Sequence, residues 1–169
     1  MWLRSVWGER LQQAMRSGFG QAEVSLKKFT NKLILGIADI DEQHDGLFNL
    51  FNEFHDTIQQ GKSEVNIESF FSFLKDYVAT HFTAEENYME KYAYPEYEFH
   101  KSHHEQFIKE LEEKQRTFLL EGQKVKLELI VWLYFWFNKH VLSIDKVMGE
   151  FLREKMADEA RGKTEPSGN

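Results

Sequence analysis

The sequence predicts an all-α protein, an up-and-down, antiparallel four-helix bundle with an N-terminal helical extension. Apolar residues recur at three- and four-residue spacing through four long stretches. Only a few residues separate these stretches, which makes neighbouring helices antiparallel. No segment alternates with period two for long enough to suggest a sheet.

The elements follow in order. In residues 1–28, Trp2, Leu3, Val6, Trp7, Leu11, Ala14 and Met15 fall at helical intervals, and five basic against two acidic residues leave this stretch at +3 and the remainder at −10. A basic amphipathic helix of this kind suits contact with a protein or a membrane surface, or packing on its own domain. Gly18 and Gly20 break the pattern before the main domain, residues 29–156. Its first helix spans Asp41 to Gln60, with Leu47, Phe48, Phe51, Phe54 and Ile58 on one face and Gly61 as its stop. The second covers Ile67 to about Lys91 through Phe70, Phe71, Phe73, Leu74, Tyr77, Val78 and Phe82. Pro95 opens the third, which carries Phe99, Phe107, Ile108, Leu111 and Phe118 to the break at Glu121-Gly122. The fourth begins near Lys124, is apolar on more than one side, and reaches about Met156. Residues 157–169, polar and holding Gly162, Pro166 and Gly168, read as a disordered tail.

Composition narrows the chemistry. The 169 residues include no cysteine, two prolines and seven histidines, and the formal net charge is −7. Disulfides, thiolate zinc sites, iron–sulfur clusters and cysteine nucleophiles are excluded, so any metal must sit among nitrogen and oxygen ligands. The acidic balance argues against a nucleic-acid partner. The longest apolar run, Leu129 to Phe137, is far short of the ~20 residues of a membrane-spanning helix. The N-terminus lacks the apolar core and cleavage site of a secretory signal, which makes a cytoplasmic location the expectation, with peripheral membrane association through residues 1–28 open.

Fifteen phenylalanines, six tyrosines and four tryptophans suit a dry bundle interior, where a polar group needs a strong partner. The histidines are placed accordingly. His44 lies near the start of the first helix, His81 and Glu85 near the end of the second, His100 and His104 near the start of the third, and His140 with Asp145 on the fourth. A four-residue step turns a helix by about 400°, so His81/Glu85 and His100/His104 each share a face. Antiparallel packing brings these regions to one end of the bundle, and His140, some sixteen residues into its helix, reaches the same level. A lone His-x-x-x-Glu is usually a surface pair; convergence of four pieces is what points to a metal. The five-residue step from His140 to Asp145 separates them by about 140° on an ideal helix, which calls either for a carboxylate reaching a second ion or for a local bulge.

Five imidazoles and two carboxylates overfill one first-row ion and suit two. Compared with the four-carboxylate, two-histidine sites of ferritin-like enzymes, this nitrogen-rich set favours ferrous iron and a milder encounter with dioxygen. The same donors accept manganese. His55 lies about 16 Å along the axis from His44, too far to join the centre. His103, three residues after His100, could also grip a metal together with it.

These residues resemble the hemerythrins, specifically the bacterial single-domain type. The resemblance rests on Ile37-Ala-Asp-Ile-Asp41-Glu-Gln-His44, on His81-Phe-Thr-Ala-Glu85-Glu86, on Tyr94-Pro95 followed by His100 and His104, and on His140 through Asp145, over roughly Phe29 to Leu152. It implies two non-heme iron ions bridged by an oxo or hydroxo group. His100, His104 and His140 would hold one ion; His44 and His81 would hold the other and leave a position open; Glu85 and Asp145 would bridge them. Leu47, Phe82, Trp136, Phe137 and Val141 are expected to line an oxygen pocket. The family has a tryptophan near the domain start where this chain has Phe29, and its simple bacterial pattern lacks the basic extension. The resemblance implies reversible dioxygen binding for transport or storage rather than catalysis. An oxygen-sensing or partner-targeted module, and a di-iron enzyme acting on peroxide or nitric oxide or donating iron, are the alternatives.

Overall fold

The structure, a computed structural model, describes residues 33–59, 67–121 and 126–164. Among them the chain forms helices α1 (Ala38–Gln59), α2 (Ile67–Lys91), α3 (Tyr97–Glu121) and α4 (Lys126–His140), a π-helical turn (Val141–Asp145), and α5 (Lys146–Thr164). The turn joins α4 and α5 end to end, so the architecture is the expected four-helix bundle. α1 packs on α2 and α4, and α2 packs on α3 and α5. No helix among the described residues is long and apolar enough to cross a membrane. The N-terminal stretch 1–28, Phe29 and the side chain of His55 lie outside what is described.

Each helix end has an identifiable cause. Before α1, Gly36 adopts φ +79°, open to a residue without Cβ. The Asp41 carboxylate accepts the Leu35 N–H at 2.6 Å and the Gly36 N–H at 2.8 Å, and Arg153 donates to the Leu35 carbonyl. These contacts tie the entry segment to α1 and α5, and they let α1 begin three residues before the expected Asp41. At the end of α2, Ala93 takes the left-handed conformation (φ 51°). The Ala93 N–H bonds the Glu90 carbonyl at 3.1 Å and the Tyr94 N–H bonds Met89 at 2.8 Å, which is a Schellman stop.

Two findings correct the expected fourth helix. Its C-terminal rod continues to Thr164, so residues 157–164 are helical and not part of a disordered tail. Ala157, Glu159, Ala160 and Arg161 are good helix formers, Arg161 pairs with Asp158 along the helix, and the segment is tethered where the Tyr92 hydroxyl donates to Glu159 at 2.9 Å and Lys91 lies 3.8 Å from it. The second is the π-turn itself, in which the Lys146 N–H bonds the Val141 carbonyl five residues back. Of the two explanations for the His140–Asp145 spacing, the local bulge is the one found.

The apolar interior falls into two parts. One contains Leu47, Phe71, Leu74, Val78, Phe82, Phe107, Leu133, Phe137 and Val141; the other contains Leu35, Ile37, Ile40, Met89, Tyr94, Met148 and Leu152. Polar residues occupy the layer between them. Along α1, His44 lies between Ile40 and Leu47; along α2, Glu85 lies between Phe82 and Met89; in the last rod, Asp145 lies between Val141 and Met148.

Candidate metal centre

All seven predicted donors, His44, His81, Glu85, His100, His104, His140 and Asp145, are buried in this layer. Antiparallel packing assembles them, and the π-turn completes the set. With one extra residue in the turn, Asp145 comes back beside His140, its Oδ1 2.9 Å from His140 Nε2. The Ser143 hydroxyl donates to the Lys139 carbonyl, adding a donor where the backbone ladder changes register.

The donors form two groups that share a member: Glu85, His100, His104 and His140 in one, and His44, His81, Glu85 and Asp145 in the other. The carboxylate oxygens divide along the same line. Glu85 sets Oε1 3.5 Å from His81 Nε2, and Oε2 3.3 Å from His100 and 3.1 Å from His104. Asp145 sets Oδ2 3.4 Å from His44, and Oδ1 3.3 Å from His100 and 2.9 Å from His140. Each carboxylate therefore offers one oxygen to the histidine pair His44/His81 and the other to the triad His100/His104/His140.

Charge follows this geometry. Burial and the mutual repulsion of the two carboxylates oppose ionisation of Glu85, yet His81, His100 and His104 hold its carboxyl well below the ordinary range. Asp145 is likewise held well below its usual value, against burial, by His140, His100 and His44. Burial lowers His81 to about 4, keeping it neutral as a metal ligand requires.

A metal fits. Ten buried nitrogen and oxygen atoms of His44, Glu85, His100, His104, His140 and Asp145 make no hydrogen bond. Such groups are rare and costly in protein interiors, and the gathering of the carboxylate oxygens and the Nε2 atoms among them around one space calls for a cation. Among the described residues His103 joins neither group. It is only half-buried, its ring 4.8 Å from that of Phe99.

A narrow apolar cavity of about 10 Å³ adjoins the donors, at the lower limit of what one water-sized molecule needs. Leu47, Phe82, Trp136, Phe137 and Val141 all line it, together with His81, His140 and Asp145. Leu74, Tyr77, Val78, Phe107 and Leu133 extend the lining beyond the residues predicted. Phe82 lies flat on His104, ring centres 3.8 Å apart and planes within 2°.

Three contacts around the donors are visible only in the fold. Gln43 Oε1 lies 2.9 Å from His81 Nδ1, Glu86 Oε1 lies 3.1 Å from His104 Nδ1, and the Tyr77 hydroxyl donates to the Gln43 carbonyl. Burial, with Glu85 and Asp145 nearby, pushes the Tyr77 phenol up and keeps it a donor. The signal available in the sequence was adjacency, since Gln43 precedes His44 and Glu86 follows Glu85.

This fold and donor set define a helical cation-binding domain of the hemerythrin class. The family model described as "Hemerythrin HHE cation binding domain" matches residues 35–152, and the chain belongs to that family. Among named relatives, a bacteriohemerythrin of Pseudomonas aeruginosa is 34% identical over 130 residues, covering 77% of this chain and 84% of that protein. One from Methylococcus capsulatus is 30% identical over 113 residues, covering 66% and 85%. A crystal structure of a leucine-to-phenylalanine mutant superposes with TM-score 0.58 at 29% identity, covering 68% of this chain and 87% of that one.

Proposed function

We propose that the protein binds dioxygen reversibly, as a carrier or store, at two iron ions held by these seven residues. The observation that carries this reading is the division of both carboxylates between a histidine triad and a histidine pair. His100, His104 and His140 would hold one ion, His44 and His81 the other, and Glu85 and Asp145 would serve both. The pair half offers one imidazole fewer and would leave room there for an exogenous ligand. Iron, when bound, supplies the electrons that dioxygen takes up.

The chain's own part is to shape and dry the site. Phe82, Phe137, Leu47, Trp136 and Val141 admit a small apolar molecule to the donors and exclude water, which slows irreversible oxidation. The five neutral imidazoles restrain the site's negative charge and favour the ferrous state. The domain acting here is residues 29–156. A cytoplasmic setting, with residues 1–28 serving protein or membrane-surface contact, belongs to the same reading.

The test is optical. The reduced, iron-loaded protein is exposed to oxygen, and the oxygen is then removed. A visible charge-transfer band that appears and disappears supports reversible binding. Immediate irreversible oxidation, or sustained turnover of peroxide or nitric oxide with a reductant, overturns the carrier reading in favour of an enzyme.

A further inference from the structure

One imidazole in each half of the centre is anchored by a side chain from outside it, and the two anchors differ in charge. His81, of the pair, faces the neutral amide oxygen of Gln43 across 2.9 Å. His104, of the triad, faces the carboxylate of Glu86 across 3.1 Å. In both contacts the ring nitrogen involved is Nδ1, while Nε2 points to Glu85. The Nδ1 atoms of His44 and His100, by contrast, make no hydrogen bond.

We propose that Gln43 and Glu86 are positioning residues that widen the inequality between the two halves of the metal centre beyond what three imidazoles against two already give. An acceptor at Nδ1 fixes the proton there and leaves Nε2 as the bare donor to metal. A carboxylate acceptor draws that proton more strongly than an amide does, so it raises the electron density at Nε2. His104 is thereby the stronger ligand of the two anchored imidazoles, and the triad half the tighter half.

The surroundings maintain the difference. Glu86 is only partly exposed, and Lys101 Nζ lies 3.7 Å from its Oε2, a second contact that holds the carboxylate in place. Gln43 is held by its backbone, where its carbonyl accepts the Tyr77 hydroxyl, while the Tyr77 ring stacks on His81 with centres 5.6 Å apart. Each anchor also crosses a helix boundary: Gln43 on α1 fixes a ring on α2, and Glu86 on α2 fixes a ring on α3.

This inference rests on the metal reading, and the probe is cobalt(II), whose visible spectrum reports binding without any oxygen chemistry. Titration of the full-length metal-free chain should show two steps of unequal affinity. The nearly isosteric swap Glu86→Gln should weaken the tighter step tenfold or more, within the 10- to 100-fold range of such outer contacts, and leave the weaker step within about threefold. Gln43→Glu should strengthen the weaker step and narrow the gap. Unchanged melting of the metal-free variants separates these effects from misfolding. A merely structural role would not give opposite signs for the two swaps. Failure to bind cobalt in the unaltered chain overturns the metal reading itself. Two steps that ignore both swaps, or that shift together, overturn only the widening.

Discussion

Truncation of Phe82 should separate the packing of the centre from its protection. The ring is 4% exposed, lies 3.8 Å centre-to-centre on His104, and meets Phe107 edge-on at 5.8 Å and Trp136 at 6.0 Å. Phe82→Ala removes this ring from a dry cavity wall, at a cost of about 3–5 kcal/mol. Domains hold roughly 5–15 kcal/mol in total, so the variant should fold, with its unfolding temperature lowered by roughly 10–20 °C. Phe82→Leu loses three buried carbons and should cost about 2 kcal/mol. The functional consequence differs in kind. The alanine enlarges a cavity that borders buried polar atoms, and water can enter such a space. The oxygen-dependent band of the iron-loaded protein should therefore decay tenfold or more faster in the alanine variant, with the leucine variant in between. Stopped-flow absorption measures the decay, and urea or thermal unfolding measures the stability. A destabilised alanine variant whose band persists as long as the parent's would refute the shielding role; an undiminished unfolding temperature would refute the packing argument.

Metal analysis should find two ions per chain, falling to one or none in Glu85→Ala because its oxygens serve both halves. His104→Ala should lose metal while His103→Ala keeps it; the reverse result would mean that the register of α3 is wrong. Ala93→Gly relieves a left-handed alanine at the end of α2 and should add about 0.5–1 kcal/mol in urea unfolding, whereas a loss would contradict the Schellman assignment. In the metal-free chain burial opposes a charge on His100, yet Asp145 and Glu85 raise its pKa from 6.5 to about 9. A group raised in this way contributes stability that is full below pH 6.5 and is lost as pH climbs through 9, about 3 kcal/mol in all. Unfolding of the metal-free protein across that window should show the loss, and metal uptake at pH 7, followed by pH-stat, should expel the proton from His100. Uptake without proton release would contradict the assignment.

What could be read from the residues was what repeats locally. α2 has the bounds its apolar spacing predicts, and the His81/Glu85 and His100/His104 pairs were legible because a four-residue step keeps a face on any helix. The helical extension of the last rod was not, since Ala157 to Thr164 carries no apolar stripe and is held by contacts such as Tyr92 with Glu159 that only the fold creates. Gln43 and Glu86 were hidden for a similar reason. A residue next to a ligand on a helix points about 100° away from it, toward a neighbour that packing alone identifies.

The π-turn shows how the two kinds of information meet. Phe137 and Val141 belong to the apolar cluster on one side of the polar layer, Met148 and Leu152 to the cluster on the other. An uninterrupted α-helix serving both clusters would leave His140 and Asp145 about 140° apart, with one of them turned out of the layer. The wider turn absorbs one residue between the clusters and keeps both side chains inside, where Asp145 meets His140 at 2.9 Å and still reaches His44 at 3.4 Å. The irregularity thus falls where one rod must fill two apolar cores and also supply two donors to the layer between them. The five-residue spacing that looked discordant in the sequence is the trace of that double demand.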